Sequence, residues 1–414
     1  MSVVPSCLDE SDPNALTVEQ ALERILAESA PVSGTETLGI AETLDRVLAQ
    51  PVAARIDVPP ARNSAMDGYG LRSADGHAGN VLRVVGVSAA GHPWDGPVGP
   101  GECVRILTGA VVPDDVDAVV VQERVRVDEG RVTLEAGVSP GANIRGRGED
   151  TRAGTVILEP GRHLTAADIG LLASQGIGEV AVLRRPRVAF FTTGDELVPI
   201  GQPLGPGQIH DSNRYTLAAL LQRYPVEFVD LGVIADTEDA VRSALTQAGA
   251  SADLILTTGG VSVGDADYVS RLLQQEGQVG FWKVAMKPGR PLAFGRFGSA
   301  LFLGLPGNPV SAMATFSLFV RPALLRLSGT DATPPWTLRA RLQEDLRKRP
   351  GRADFQRGIL EQRDGEWVVR STGGQGSHQL RSMSLANAYI RLPAESSGAS
   401  AGEEVEVIPF QSVF

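Results

Sequence analysis

Four short segments of this chain combine glycine with carboxylates or hydroxyls in a way that a generic loop does not require. They are Thr192-Thr193-Gly194-Asp195-Glu196-Leu197, Ala235-Asp236-Thr237, Thr258-Gly259-Gly260-Val261-Ser262-Val263-Gly264-Asp265-Ala266-Asp267 and Gly304-Leu305-Pro306-Gly307-Asn308-Pro309-Val310-Ser311. The third offers successive backbone N–H groups and hydroxyls, chemistry that suits a phosphate or another oxyanion. It is not a GxxxxGKS/T phosphate loop. Nor is there a dinucleotide fingerprint, because the GxG pairs at 146/148, 205/207 and 374/376 lack the third glycine. Glu196, Asp236 and Asp267 would repel one another if brought together, unless a cation joined them. Mg²⁺ shared between carboxylates and substrate phosphates meets that need. Each carboxylate taken alone equally suits a helix or turn cap.

A second signal is the scarcity of lysine. Only Lys283, Lys287 and Lys348 occur among 38 basic residues, and two of them lie four residues apart. A compact ammonium differs from the planar guanidinium that the chain otherwise uses. Even spacing puts Lys283 and Lys287 on one face of a regular strand, where a nearby anion would relieve their repulsion. A solvated strand face is the alternative. Residues 62–69 and 145–150 read on their own as an Asp-Gly turn and a charged loop. Residues 355–358 and 374–378 likewise carry no chemistry in isolation.

The elements that would position these groups follow from periodicity. Residues 17–30 predict an amphipathic helix with a Thr17/Gln20 capping box, and a second helix is expected around 41–50. From 56 to 149, strands at 81–87, 103–107, 118–125 and 131–134 alternate with Gly/Pro/Asp clusters, the texture of a β domain. A helix returns at 165–175, capped by Thr165, and the two helical segments are expected to pack together. From 187 to 329 strands and helices alternate, with strands at 187–192, 226–233, 253–257, 280–286, 291–295 and 301–304. Helices are expected at 212–223, 238–248, 267–275 and 309–327, giving an α/β layer with a largely parallel sheet. Such sheets bind ligands beyond the carboxyl ends of their strands, where all four segments fall. After a linker at 329–335, short strands in 337–414 read as a small β barrel or sandwich.

Composition bounds the rest. With 414 residues the chain is expected to hold two to four domains. Its formal net charge of −11 argues against non-specific binding to nucleic acid or an anionic membrane. No apolar run approaches a membrane span. The first fourteen residues read as an acidic, disordered tail and not a signal peptide. Two cysteines make no disulfide framework, so a cytoplasmic location is expected.

The segments SAMDGYG, RGRGED, TTGDELV, TTGGVSVGDADY, FWKVAMKPGRP, GLPGNPVS, DFQRG and QGSH occur in this order over roughly residues 17–410. In this the chain resembles the molybdopterin molybdenumtransferase family of the MoeA type, which is similar to the E domain of gephyrin. The resemblance implies a multidomain α/β plus β fold. A central α/β sandwich of the molybdopterin-binding type (185–332) would be joined by a helical N-terminal domain (15–55 and 150–184), an inserted β domain (56–149) and a small C-terminal β barrel (336–414). It implies insertion of molybdate into adenylylated molybdopterin with Mg²⁺, giving molybdenum cofactor and AMP. It implies a homodimer whose cleft draws on both subunits. Molybdopterin adenylyltransferase and molybdoenzyme-maturation proteins are the implied partners. Molybdate would sit among Lys287, Pro288, Ser311, Arg357 and Ser377. Glu196, Asp236 and Asp267 would hold Mg²⁺ or position the nucleophile. Thr258, Gly259, Gly260 and Ser262 would cradle a phosphate, with Pro306 and Pro309 beside the substrate. Asp67, Thr108, Asp150 and Lys283 match residues tied to activity. Small departures occur at Arg62, Asp265 and Arg290. An adenylyltransferase and a molybdopterin-binding scaffold are the competing readings.

Overall fold

The computed structural model describes residue 12 and residues 14–259 and 268–414, and it divides into two compact units. One unit is Thr37–Val182. The other combines the chain up to Glu36 with Leu183–Phe414.

In the unit Thr37–Val182 the Gly/Pro-punctuated strands assemble one six-stranded sheet. Its spatial order is Ala118–Val121, Gly68–Leu71, Glu102–Ile106, Val81–Ser88, Arg131–Leu134, Val125–Asp128. Leu71, Leu82, Cys103 and Val132 pack on one side and Val104, Ile106, Val116 and Val119 on the other, as alternation along each strand requires. Burial pushes the Cys103 thiol up to about 12, so it behaves as a small core hydrophobe. The expected strand 118–125 is instead two strands separated by a 3₁₀ turn at Gln122–Arg124. The helix expected around 41–50 does not form. A 3₁₀ turn occupies Ile40–Glu42, and Asp45 takes φ +61°, which stops helical propagation. Val47 and Leu48 are then buried as extended residues bridged to His163 and Val182.

The helix Val18–Glu28 forms with its capping box, Gln20 N–H donating to Thr17 Oγ1 at 3.1 Å. The helix Ala166–Ser174, its expected packing partner, belongs to the other unit. Val18, Ala21 and Ile25 join the core formed by Phe319, Val320, Ala323 and Leu327. The sheet of this unit has the order Glu227–Ile234, Arg187–Thr193, Leu254–Thr258, Ala300–Leu305, Pro291–Phe297, Gln278–Lys283. The first four strands are parallel and the last two antiparallel. Both faces are covered: Val188 and Phe190 enter one core, Ala189 and Phe191 the other, which explains the unbroken apolar run of that strand. Pro309–Leu327 is one continuous helical stretch with a π turn at Phe316–Val320. Contrary to the sequence reading, it is long and apolar enough to span a bilayer, but 72% of it is buried as the core helix of this unit.

The tail closes into a five-stranded barrel in which Leu338–Leu342, Glu404–Pro409, Ala388–Leu392, Ala353–Arg363 and Glu366–Ser371 pair in turn, the last returning to the first. Ala340, Leu342, Ile390 and Val407 fill it. On its outer side Phe355 and Tyr389 enter the α/β core. That packing delivers the loop around residues 374–378 to the sheet edge.

Candidate functional site

Strand register builds the site. Thr192 pairs with Thr258, and Thr258 with Leu305, so the segments Thr-Gly, Thr-Gly and Leu-Pro-Gly leave the sheet at one level. The chain leaves Arg187–Thr193 toward one side of the sheet and Leu254–Thr258 toward the other, which makes this the switch point where open α/β sheets bind ligands. A cleft of about 590 Å³ opens there, floored by Thr193, Thr258, Gly259 and Gly307. The floor is bare backbone by necessity. Gly259 has φ +83°, and a Cβ on it would lie 2.6 Å from Thr193 O.

Glu196, His210, Asp211, Asn213, Asn308, Pro309 and His378 wall the cleft. Asp211 is structural. It caps the helix Ser212–Leu221 by accepting from Arg214 N–H at 3.1 Å, and it accepts from Thr192 Oγ1 at 2.6 Å. Asn213 Nδ2 donates to Gly307 O at 2.7 Å, while its Oδ1 is buried without a partner among the described residues. The exposed Glu196 carboxylate likewise shows no hydrogen bond or ion pair among the described residues. Carboxylate and amide oxygens of this kind are hard donors, fitted to Mg²⁺. Asp236 follows the neighbouring strand but does not line the cleft. Gly260, Ser262 and Asp267 lie outside the described residues. Among the described residues no group of three potential metal-binding His, Cys, Asp or Glu side chains occurs.

Asn308 also lines a second cavity of about 630 Å³, together with Lys287, Pro288, Ser311, Gln375 and Ser377. Four of the five residues expected around an oxyanion therefore meet in one wall. Lys287, Arg290 and Arg352 supply the charge there, and no carboxylate among the described residues lines it. Pro306 is buried beneath Gly307 and does not reach either space.

Arg357 differs from its expected place. It is 1% exposed and stands behind the cavity wall. Its Nε donates to Ser382 Oγ at 3.0 Å, and its Nη2 to Gly376 O at 3.1 Å and Gly374 O at 3.4 Å. Its backbone N–H donates to Gln375 Oε1 at 2.8 Å, and Gln375 Nε2 donates back to Arg357 O at 3.0 Å. Burial pulls the Arg357 pKa below the ordinary arginine value, against the opposing pull of Tyr389 and Asp354. Arg357 thus fixes the loop that carries Ser377, and Val310 N–H donates to Ser377 O at 3.1 Å to seat that loop on the core helix.

The two lysines also part company. The strand does not stay regular: it ends at Lys283, and Met286–Lys287 pairs instead with Ala353–Asp354 of the barrel. Lys283 Nζ lies 3.2 Å from Asp12 Oδ2, which Arg290 also approaches at 3.4 Å. Lys287 Nζ faces the buried Asp354 at 4.0 Å. Asp12 therefore belongs to an ordered contact; residues 1–11 and 13 of the expected tail lie outside the described residues. Asp12, Asp354, Gln375 and Asn213 escaped the sequence reading. Only DFQRG and QGSH, which contain Asp354 and Gln375, offered a signal.

In the other unit, Asp67 and Thr108 form a pair. Thr108 N–H and Oγ1 donate to Asp67 Oδ1 at 2.7 and 2.8 Å. These bonds, the backbone one foremost, hold the Asp67 carboxyl below its usual range. Asp150 is exposed; its N–H donates to Val58 O at 3.0 Å and its carboxylate accepts from Thr151 Oγ1 at 3.2 Å.

Comparison with known proteins agrees with this geometry. Residues 16–176 match the family described as MoeA N-terminal region (domain I and II), 189–326 a probable molybdopterin binding domain, and 339–410 the MoeA C-terminal region (domain IV). A molybdopterin molybdenumtransferase of Haemophilus influenzae is 43% identical, covering 95% of this chain and 98% of the relative. One from Nostoc is 38% identical, covering 90% of this chain and 88% of the relative. The crystal structure of the molybdopterin biosynthesis MoeA protein of Pyrococcus horikoshii superposes with a TM-score of 0.82 at 30% identity, covering 95% of this chain and all of that one. A switch-point cleft joined to a cationic cavity, carried on a fold and sequence shared over nearly the whole length, places this chain in the molybdopterin molybdenumtransferase family.

Proposed function

We propose that this chain inserts molybdate into adenylylated molybdopterin and releases AMP, forming molybdenum cofactor. The observation that carries the reading is the pair of adjoining spaces. One is a bare-backbone cleft at the sheet switch point, and the other a cationic cavity joined to it through Asn308. Phosphates and pterin suit the first. A tetrahedral dianion suits the second, where Lys287 neutralises charge and the hydroxyls of Ser311 and Ser377 donate. The chemical step is an in-line displacement at the adenylate phosphorus, by water or by a molybdate oxygen. The attacking oxygen bonds to that phosphorus as the anhydride bond to the pterin's phosphate breaks, and the pterin phosphate leaves with the electron pair. Water gives AMP directly, whereas molybdate gives an adenylyl molybdate whose hydrolysis gives AMP.

Mg²⁺ is part of this proposal. Glu196 and Asn213 Oδ1 would hold it. The resemblance adds Asp267, which lies outside the described residues, and Asp236, which does not line the cleft. When bound it would neutralise phosphate charge. The chain's own groups then orient the phosphates over Thr258 and Gly259 and seat the oxyanion against Lys287. Asp67, Thr108 and Asp150 are tied to the same reaction by the resemblance alone. A cytoplasmic homodimer, supplied by a molybdopterin adenylyltransferase and serving molybdoenzyme maturation, is the setting that the resemblance supports.

The test is AMP release from adenylylated molybdopterin with Mg²⁺, with and without molybdate. Molybdate-dependent release that Lys287→Ala lowers at least tenfold is expected. A folded protein that binds the pterin yet releases no AMP would overturn the enzyme reading in favour of a scaffold. Sedimentation velocity gives the oligomeric state, and a monomer at micromolar concentration would refute the homodimer.

A further inference from the structure

The positive surface does not stop at the cavity beside Ser311. Lys287 and Arg352 also line a further hollow of about 380 Å³, whose other walls are Arg347, Lys348, Arg349 and Asp354. Five cations thus face one carboxylate, in a chain with a formal net charge of −11. That carboxylate is already engaged. Gln356 Nε2 donates to Asp354 Oδ2 at 3.1 Å, and Lys287 stands 4.0 Å away.

The arrangement is held by its own backbone. Leu346–Arg347 pairs antiparallel with Gly398–Ala399. Lys348 turns inward, and its Nζ donates to the carbonyls of Pro393, Ala394 and Ser396 at 2.9, 3.1 and 2.8 Å. This anchor presents the flanking Arg347 and Arg349 into the hollow. Neither guanidinium makes a hydrogen bond or ion pair among the described residues. Like charges gathered in a concave surface focus a positive potential and raise the local concentration of anions. Among the described residues its walls are cationic side chains and one carboxylate, with no aromatic or aliphatic residue, so what it offers a ligand is chiefly charge. A small, compact, doubly charged anion is the ligand that fits.

We propose that this hollow is a vestibule that collects inorganic tetrahedral oxyanions and passes them across Lys287 and Arg352 into the cavity beside Ser311 and Ser377. The inference rests on the proposed transferase reading. The same anion chemistry is presented by inorganic molybdate and by the phosphate of the pterin substrate, and the vestibule is assigned to the first.

The test uses the full chain carrying Arg347→Gln and Arg349→Gln together, with Arg347→Lys and Arg349→Lys as the charge-preserving control. At low ionic strength the Gln pair is expected to raise the KM for molybdate about tenfold, with kcat and the KM for adenylylated molybdopterin unchanged and the Lys pair close to wild type. At 0.5 M NaCl, where the screening length falls to roughly 4 Å, the difference is expected to shrink below about twofold. An unchanged molybdate KM at low salt overturns the proposal, as does a loss confined to kcat or a defect that salt does not diminish. A rise in the pterin KM alone assigns the vestibule to the substrate phosphate and also overturns it. If wild type releases no AMP, the transferase reading fails separately. Equilibrium dialysis with inorganic molybdate alone then decides the vestibule: weaker binding by the Gln pair supports it, and equal binding refutes it.

Discussion

Arg357→Lys keeps the charge and removes the fork, and the structure states what each loss means. Nε serves Ser382 while Nη2 serves Gly376 and Gly374, all within a site that is 1% exposed. A single ammonium cannot reach both sides, so at least one charge-assisted hydrogen bond is lost and a buried acceptor is left unpaired. That costs about 2 kcal/mol, in the range of roughly 1.5–3 for bonds to charged groups. The expected fall in melting temperature is roughly 4–8 °C for a unit of this size. The loop that carries Ser377 loosens, so the KM for molybdate is expected to rise about tenfold (about 1.4 kcal/mol). Gln375→Ala removes the other half of the clamp and is expected to weaken molybdate in the same direction without touching any charge. Thermal unfolding, read beside molybdate-dependent AMP release, measures both. If Arg357→Lys abolishes molybdate use at an unchanged melting temperature and Gln375→Ala does nothing, the guanidinium contacts the anion itself and the reasoning fails.

Other outcomes are expected. Glu196→Gln raises the Mg²⁺ concentration for half-maximal AMP release at least tenfold, and because Glu196 is exposed the melting temperature stays within about 1 °C; an unchanged Mg²⁺ dependence would remove Glu196 from the metal set. Gly259→Ala forces a Cβ to 2.6 Å from Thr193 O at φ +83°, so it destabilises by roughly 1–3 kcal/mol and distorts the cleft floor. A variant as stable and active as wild type in urea unfolding and turnover would contradict the close approach. Asp253 sets part of the acid limit. Burial alone would raise its pKa, but two Arg184 bonds at 2.7 Å and the Arg187 N–H at 2.7 Å pull it below the usual carboxylate range. A folded-state pKa below the unfolded value of about 3.8 contributes stability above that value, and the contribution is lost as pH falls through the folded pKa. Asp253→Asn therefore lowers stability at pH 7 and flattens the stability curve below about pH 4, where wild type loses this contribution. Parallel pH-stability curves for the two proteins would sink this account.

Much of the chemistry was legible in the residues. The glycine, hydroxyl and carboxylate segments fall at strand ends because a parallel strand needs an apolar run and its exit needs a turn, and both are local patterns. The helix at Val18–Glu28 and the strand Arg187–Thr193 were readable for the same reason. The segment 41–50 misled because its apolar spacing imitates a helix, while Asp45 at φ +61° and the burial of Val47 and Leu48 against His163 and Val182 are decided by distant partners. Lys283 and Lys287 looked equivalent because spacing assumes a regular strand. The barrel strand at Ala353–Asp354 captures Met286–Lys287 and breaks that regularity.

Sequence by itself determined which residues carry the charge and the donors: the lysine pair, Glu196, Ser311, Ser377 and the arginines of the tail. Tertiary structure alone decided which of them share a space. Thr193, Gly259 and Gly307 meet through parallel register across three strands, and Ser377 reaches Ser311 because a barrel some sixty residues further along docks Phe355 and Tyr389 into the α/β core. It also put Arg357 behind the wall instead of in it. Residue type fixes what a group can donate or accept within its own few ångströms. Long-range packing fixes what stands there to receive it.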